Sequence, residues 1–223
     1  MTLERFREQL EKEEEEERRQ SRSRGRKSRL LPEMLDRDFD LIWAAPECRT
    51  WSRAAGGKYR NLDNIDGFPG REGYFDAQAA KREIQDLVDI LGHYRRRNPS
   101  VVICVENPDG YLQKHAVSKR FKTDLGLREL RLSYCNFREP VEGEKATPRK
   151  NTILWTNAKK MQDVFRDDAF VCKNKCTGMT RCGRRHQQTV YDFVDNCSSY
   201  PKGVVEFWAT LLYGEVMSRK RKD

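Results

Sequence analysis

Beyond Pro32 the apolar positions fall into alternating short runs and longer periodic stretches. DFDLIWAA (38–45) closes on an unbroken apolar run and predicts a buried strand. AQAAKREIQDLVDILGHYRR (77–96) places Ile84, Leu87, Val88 and Leu91 on one face and predicts an amphipathic helix. VVICVEN (101–107) predicts a second buried strand, apolar until Glu106, which Asn107-Pro108-Asp109-Gly110 stops with turn chemistry. A short helix is expected near 111–121, and strands over 130–137 (LRLSYCNF) and 151–157 (NTILWTN). KGVVEFWATLLYGEVMSR (202–219) predicts a closing helix with Val205, Trp208, Leu212 and Val216 on one stripe. Such alternation predicts an α/β sheet, largely parallel, with helices on both faces. Ligands of such sheets bind beyond the C-terminal strand ends, where Cys48 and Glu106 both fall.

Residues 1–31 break this pattern and form a separate arm; 32–223 form the folded domain. LERFREQLEKEEEEERR suits a lone charged helix with Glu and Arg at i,i+4 spacing, and QSRSRGRKSR is a disordered basic tract. Ten Lys and Arg against eight Glu over residues 1–30 leave most of the net charge of +9 on the rest of the chain. That balance favours polyanionic partners: nucleic acid first, an acidic membrane surface second. The arm is either a solubilising extension or a nuclear-targeting or nucleic-acid-contacting one, and the tail SRKRKD supports the latter. No apolar run reaches the length of a spanning helix and no apolar segment opens the chain, so an intracellular protein is expected. Seven cysteines in such a chain argue for thiols or metal ligands rather than a disulfide frame.

Two strand ends thus deliver a thiol and a carboxyl to one rim. A thiolate can attack an electron-poor ring while a carboxyl in a partly dry pocket protonates or holds a ring nitrogen. The plainer reading is that Cys48 is a small buried residue and Glu106 a turn residue. PECRTWSRAAG (46–56) resembles the P-C-Q-x-F-S-x-A-G segment of DNA cytosine-C5 methyltransferases, with Pro46, Cys48, Ser52, Ala54 and Gly56 at or within one place of their counterparts. VENP (105–108) resembles that family's E-N-V segment, and TPRKNTILWTN (147–157) its later Q-x-R-x-R strand. The same stretches are similar to divergent methyltransferase-like proteins of viruses and mobile elements. The resemblance implies a Rossmann-like methyltransferase sheet. It also implies S-adenosylmethionine as methyl donor and a flipped cytosine in DNA as substrate, DNA being favoured over RNA. It implies Cys48 as nucleophile toward C6, Glu106 as partner of N3, and Arg149 as a base or phosphate contact. Ser52 would position the loop and Asn107 would shape the turn.

The family opens on F-x-G-x-G, whose glycines hold the methyl donor, and nothing before Asp38 resembles it. The expectation is therefore a partial methyltransferase-like sheet whose first strand exposes a bare edge: a second chain or another segment covers it, the chain is a truncated remnant, or the reading frame begins further upstream. Glu47 stands where the family has proline, and an anion there opposes thiolate formation. GFPGREG (67–73) has glycines at another spacing and suits a mobile loop.

Cys172, Cys176, Cys182 and His186 form a C-x3-C-x5-C-x3-H array, a donor set that satisfies tetrahedral structural zinc, with Cys197 in reserve. The alternative is a basic loop that happens to hold cysteines. Lys173, Lys175, Arg181, Arg184 and Arg185 around it would face phosphates. His93 and His115 lack a nucleophile at recognisable spacing, so hydrolase chemistry is not indicated, and Cys104 and Cys135 are expected in the core. Two functions follow: a methyltransferase-like enzyme, incomplete or inactive alone, or a non-catalytic nucleic-acid-binding or scaffold protein derived from one.

Overall fold

A computed structural model describes residues 37–55, 57–137, 150–172 and 200–221, with backbone alone at 54, 147–148 and 186–187. The expected arm, Gly56, Arg149, Cys176, Cys182 and the side chain of His186 lie outside the described residues.

The elements run β1 (Leu41–Ala44), α1 (Tyr74–Arg97), β2 (Val102–Pro108), α2 (Ala116–Thr123), β3 (Arg128–Ser133), β4 (Thr147–Pro148), β5 (Asn151–Thr156), α3 (Lys159–Val164), β6 (His186–Gln187) and α4 (Lys202–Lys220). Four strands form one sheet in the order β1-β2-β5-β3, while β4 and β6 pair by themselves. β1 and β2 are parallel, but β5 runs antiparallel to both of its neighbours. The sheet is therefore mixed rather than largely parallel. A parallel return needs a crossover of a dozen or more residues, usually a helix. That is what α1 supplies between β1 and β2. A described 3-10 turn at Tyr134–Asn136 follows β3, and β5 lies beside β3 in the opposite sense.

Strand pleating sends successive side chains to opposite faces, and two cores result. On one face Val101, Ile103 and Val105 meet Ile153 and Trp155 under Ile84, Val88 and Leu91 of α1 and Val117 and Phe121 of α2. On the other Val102 and Cys104 meet Leu130, Leu132 and Leu154 under Met161 of α3 and Val204, Trp208 and Leu212 of α4. Glu106 follows Val102 and Cys104 at the same parity, so its side chain enters the second face. Leu87 of α1 is only half-buried. The α4 stripe is rotated from the expected one: Val204 and Glu215 are buried, Val216 is half-buried and Val205 is 45% exposed.

Polar groups fix α4 in register. The Glu215 carboxylate accepts from the Lys160 N–H at 3.0 Å and ion-pairs with Arg219 at 3.0 Å. The Arg219 guanidinium donates to the carbonyls of Ser100 at 2.9 Å and Asn157 at 2.7 Å. This network ties the C-terminal half of α4 to the start of β2 and the end of β5. Among the described residues β1 has β2 as its strand partner and presents its other edge outward. No described helix is long and apolar enough to cross a membrane.

Candidate functional site

The loop leaving β1 is closed by its own acid. The Glu47 carboxylate accepts from the backbone N–H of Arg49 and from that of Thr50 at 3.4 Å. The Cys48 carbonyl accepts from the N–H groups of Trp51 (3.1 Å) and Ser52 (2.8 Å). An acid at this position is thus a cap for the turn that carries Cys48, as side-chain oxygens cap helix starts. Cys48 itself is half-buried. Ser52 continues the turn, its carbonyl accepting from Ala55 N–H at 3.3 Å.

The turn after β2 is bonded to this loop. Asn107 Nδ2 donates to the Pro46 carbonyl at 3.3 Å, and Tyr111 N–H donates to the Trp51 carbonyl at 2.7 Å. Gly110 lies so close that a Cβ there would collide with the Trp51 carbonyl oxygen and stand 3.3 Å from Ser52 Cα. The two quoted segments, PEC and ENPDG, are therefore physically one rim. Trp51 anchors that rim in the core, fully buried, with the Arg60 guanidinium 3.5 Å above its ring. Arg60 donates to the carbonyls of Ile65 (3.0 Å) and Ala77 (2.8 Å), and its burial lowers its pKa to about 10. Residues 67–73, expected to be a loop, form successive turns before α1. Phe68 is buried, and Tyr74 N–H donates to the Arg71 carbonyl at 3.0 Å.

Glu106 is buried at the end of β2 and holds two tyrosines. Tyr134 donates its hydroxyl to Oε1 at 2.8 Å and Tyr200 to Oε2 at 3.0 Å. Tyr200 also sets its ring edge-on to Trp43 and Trp208, at 6.4 and 5.7 Å between centroids. Burial raises the pKa of both phenols, and the Glu106 anion adds to it, so they remain donors at any ordinary pH. The Lys150 ammonium lies 5.0 Å from the Tyr134 ring centroid and 5.8 Å from that of Tyr200. Burial pushes the Cys48 thiol up; Lys150 acts against this, and Glu47 and Glu106 reinforce it. The expected opposition from Glu47 is thus present, alongside its capping role.

Tyr134, Tyr200 and Lys150 are the site residues that the sequence reasoning missed. Tyr134 lies within the expected strand 130–137, Lys150 beside Arg149 in the 147–157 segment, and Tyr200 two residues before the expected closing helix. Of the Cys/His array, Cys172 is fully buried against Cys135, its N–H donating to Ser133 Oγ at 2.9 Å. Among the described residues no three His, Cys, Asp or Glu side chains converge to hold a metal.

Away from this rim, His115 is buried as the N-cap residue of α2. Its Nδ1 accepts from Val117 N–H at 3.0 Å, so Nε2 carries the proton and donates to Asp66 Oδ1 at 3.0 Å. It lines a cleft of about 330 Å³ with Asp66, Lys81, Gln85 and Arg120.

Fold and site together define a mixed α/β protein that presents a thiol and a tyrosine-held carboxyl at the ends of adjacent parallel strands. No family model, curated protein or solved structure matches this chain.

Proposed function

We propose that this chain carries the nucleophile half of a cytosine-C5 methyltransferase-like site, acting on or bound to DNA. The observation that carries the reading is the bonded apposition of the Cys48 and Glu106 loops through Asn107, Tyr111 and Gly110. In the reaction so read, Cys48 loses its proton to solvent and its sulfur forms a bond to C6 of a pyrimidine. The C5=C6 π pair moves into the ring, which makes C5 electron-rich, and expulsion of the sulfur reverses the step. Glu106, already accepting from two hydroxyls, retains lone pairs for the exocyclic amino N–H of a cytosine, and it holds N3 once a proton lies between that nitrogen and the carboxyl. The net charge of +9 suits a phosphate backbone.

S-adenosylmethionine, which the resemblance implies, does not fit the described residues. Its cradle would be a glycine turn after a strand beside β1, and the described strand on β1 is β2 alone. A second chain or another segment would bring that half to the open edge of β1, and we derive no methyl transfer from these residues. We assign Cys172, Cys176, Cys182 and His186 to structural zinc, with the surrounding lysines and arginines directed at nucleic acid, on the donor set and spacing of the array.

The second reading is a non-catalytic nucleic-acid-binding or scaffold protein derived from such an enzyme. It is favoured by the raised Cys48 thiol. Duplex DNA carrying 2-pyrimidinone in place of cytosine separates the two, because that ring is attacked at C6 without a methyl donor. A covalent adduct with wild type and none with Cys48→Ala supports the enzyme reading. DNA retention without an adduct, at pH values up to about 9, overturns it in favour of the second.

A further inference from the structure

The open edge of β1 and one flank of α4 form a single apolar surface that the rim does not use. β1 carries no charge, and among the described residues β2 alone pairs with it. Val102 N–H donates to the Asp40 carbonyl at 2.9 Å, so the even-numbered residues of this strand turn their backbone groups toward β2. Leu41 and Trp43 turn theirs outward. The side chains of both share the parity that enters the second core, where the Trp43 ring lies 4.8 Å from that of Trp208. Leu41, on that same face, is 37% exposed.

The neighbours of α4 define its sides. Phe207 packs on Phe137 and Phe165 at 5.7 and 5.9 Å between centroids, and a Cβ on Gly214 would lie 2.9 Å from Lys160 Nζ. That side meets α3. The opposite side carries Val205, Ala209, Tyr213 and Val216 at helical spacing, and Lys220 at its end pairs with Asp40 before β1 at 2.6 Å. This flank therefore overhangs the open edge. Val205 and Tyr213 are 45% and 69% exposed, and Ala209 is exposed as well. A helix apolar on its flank as well as its core side suits a second neighbour. The charges at the margins are already paired, Glu206 with Lys202 at 3.6 Å and Asp40 with Lys220. An identical surface can thus approach without burying an unpaired charge.

We propose that a second copy of this chain covers this surface, joined edge to edge through β1 about a two-fold axis. The axis makes the two strands antiparallel, and the outward groups of Leu41 and Trp43 set the register. Leu41 faces the partner's Trp43 and Ile42 faces its own copy. This register supplies four backbone hydrogen bonds and covers the exposed Leu41 with an indole. The same axis lays the two α4 helices antiparallel on one face of the joined sheet. Because Trp208 packs on Trp43, the axis passes near Ala209. A small residue then stands at the helix crossing, with Val205 opposite the partner's Tyr213. The surface is about 28 Å long, the length of α4, and about 20 Å from helix flank to strand edge. Each copy would bury about 600 Å², or about 1,200 Å² in total, the lower bound for a stable dimer. The proposal does not rest on the reading of Cys48 as nucleophile. A copy seated here and a donor-binding half exclude one another from the edge.

Sedimentation equilibrium of the full chain over about 1–100 μM tests this, a range that suits an interface at the small end of the stable class. The wild-type mass should rise from that of one chain to that of two. Ala209→Asp sets two carboxylates across the axis and should weaken the dimer about tenfold or more. An equimolar mixture of Ala209→Asp and Ala209→Lys should restore it, since opposite charges then meet at the crossing. Leu41→Lys puts a charge on the strand edge and should bring a similar loss. Both positions are exposed, so circular dichroism should stay unchanged in all three variants. A wild type that remains one chain up to about 100 μM overturns the proposal. A dimer that persists in both Ala209→Asp and Leu41→Lys also overturns it, because another surface then holds the copies. Loss in Ala209→Asp without rescue by Ala209→Lys overturns the two-fold arrangement.

Discussion

Gly110→Ala tests whether the two strand-end loops are truly one rim. The added Cβ would collide with the Trp51 carbonyl oxygen and lie 3.1 Å from the Trp51 carbonyl carbon and 3.3 Å from Ser52 Cα. Those atoms are backbone, so no side-chain rotation relieves the clash. The loops must part, which stretches the 2.7 Å bond from Tyr111 N–H to the Trp51 carbonyl and the 3.3 Å bond from Asn107 to the Pro46 carbonyl. Overpacking costs about 1–3 kcal/mol, and each weakened hydrogen bond adds about 0.5–1.5 kcal/mol. A loss of about 2–6 kcal/mol is expected, or about 4–24 °C in Tm for a domain of this size. Gly57→Ala is the control. Its φ is +77° with nothing within 4 Å of the added methyl, so only backbone strain of about 1 kcal/mol applies. Urea unfolding followed by tryptophan fluorescence measures both. A Gly110→Ala variant within 0.5 kcal/mol of wild type would refute the apposition, and with it the argument that Cys48 and Glu106 share a site (the threshold is about the usual surface-substitution effect).

Tyr200→Phe removes one of the two donors on Glu106 and should cost about 1–3 kcal/mol in urea unfolding, with Tyr134→Phe at least as costly because that ring is deeper; an unchanged midpoint for both variants would show that the carboxylate is held otherwise. Burial holds the His115 pKa below 6.5 against the pull of Asp66, so its contribution is fully present above that pH and is lost as pH falls through the folded-state value. Urea midpoints of wild type should fall as pH drops below about 6.5, and His115→Asn, which keeps an acceptor for Val117 N–H, should flatten that fall. Trp208→Ala opens the second core beneath Trp43 and Tyr134 and should cost about 3–5 kcal/mol, whereas Val205→Ala on the exposed side of α4 should stay within about 0.5 kcal/mol. Purified under metal-replete conditions, wild type should carry about one zinc per chain and Cys172→Ser close to none, by elemental analysis; a zinc-free wild type would dismiss the array as a ligand set.

The elements were legible because each announces itself locally. An unbroken apolar run marks β2, a 3–4 residue apolar spacing marks α1, and Asn-Pro-Asp-Gly marks the stop after Glu106. Strand direction was less so. Nothing in NTILWTN says which way it will run, because parallel and antiparallel strands differ in connection length and not in their own residues. The rotation of α4 has a similar origin. Val204 and Val205 are equally apolar, and the buried Glu215, which follows from its bonds to Lys160 and Arg219, selects between two stripes that hydrophobicity leaves equivalent.

The site was half legible for a reason that bears on its chemistry. Cys48 and Glu106 stand at strand ends and can be placed from the sequence, but what tunes them arrives from elsewhere. The two donors on Glu106 come from 28 and 94 residues further along the chain. Lys150 reaches the rim through the register of β3 against β5. Glu47 was legible only as an obstacle to a thiolate, yet it caps the turn that presents Cys48, so removing its charge would free the thiol and loosen its mounting together.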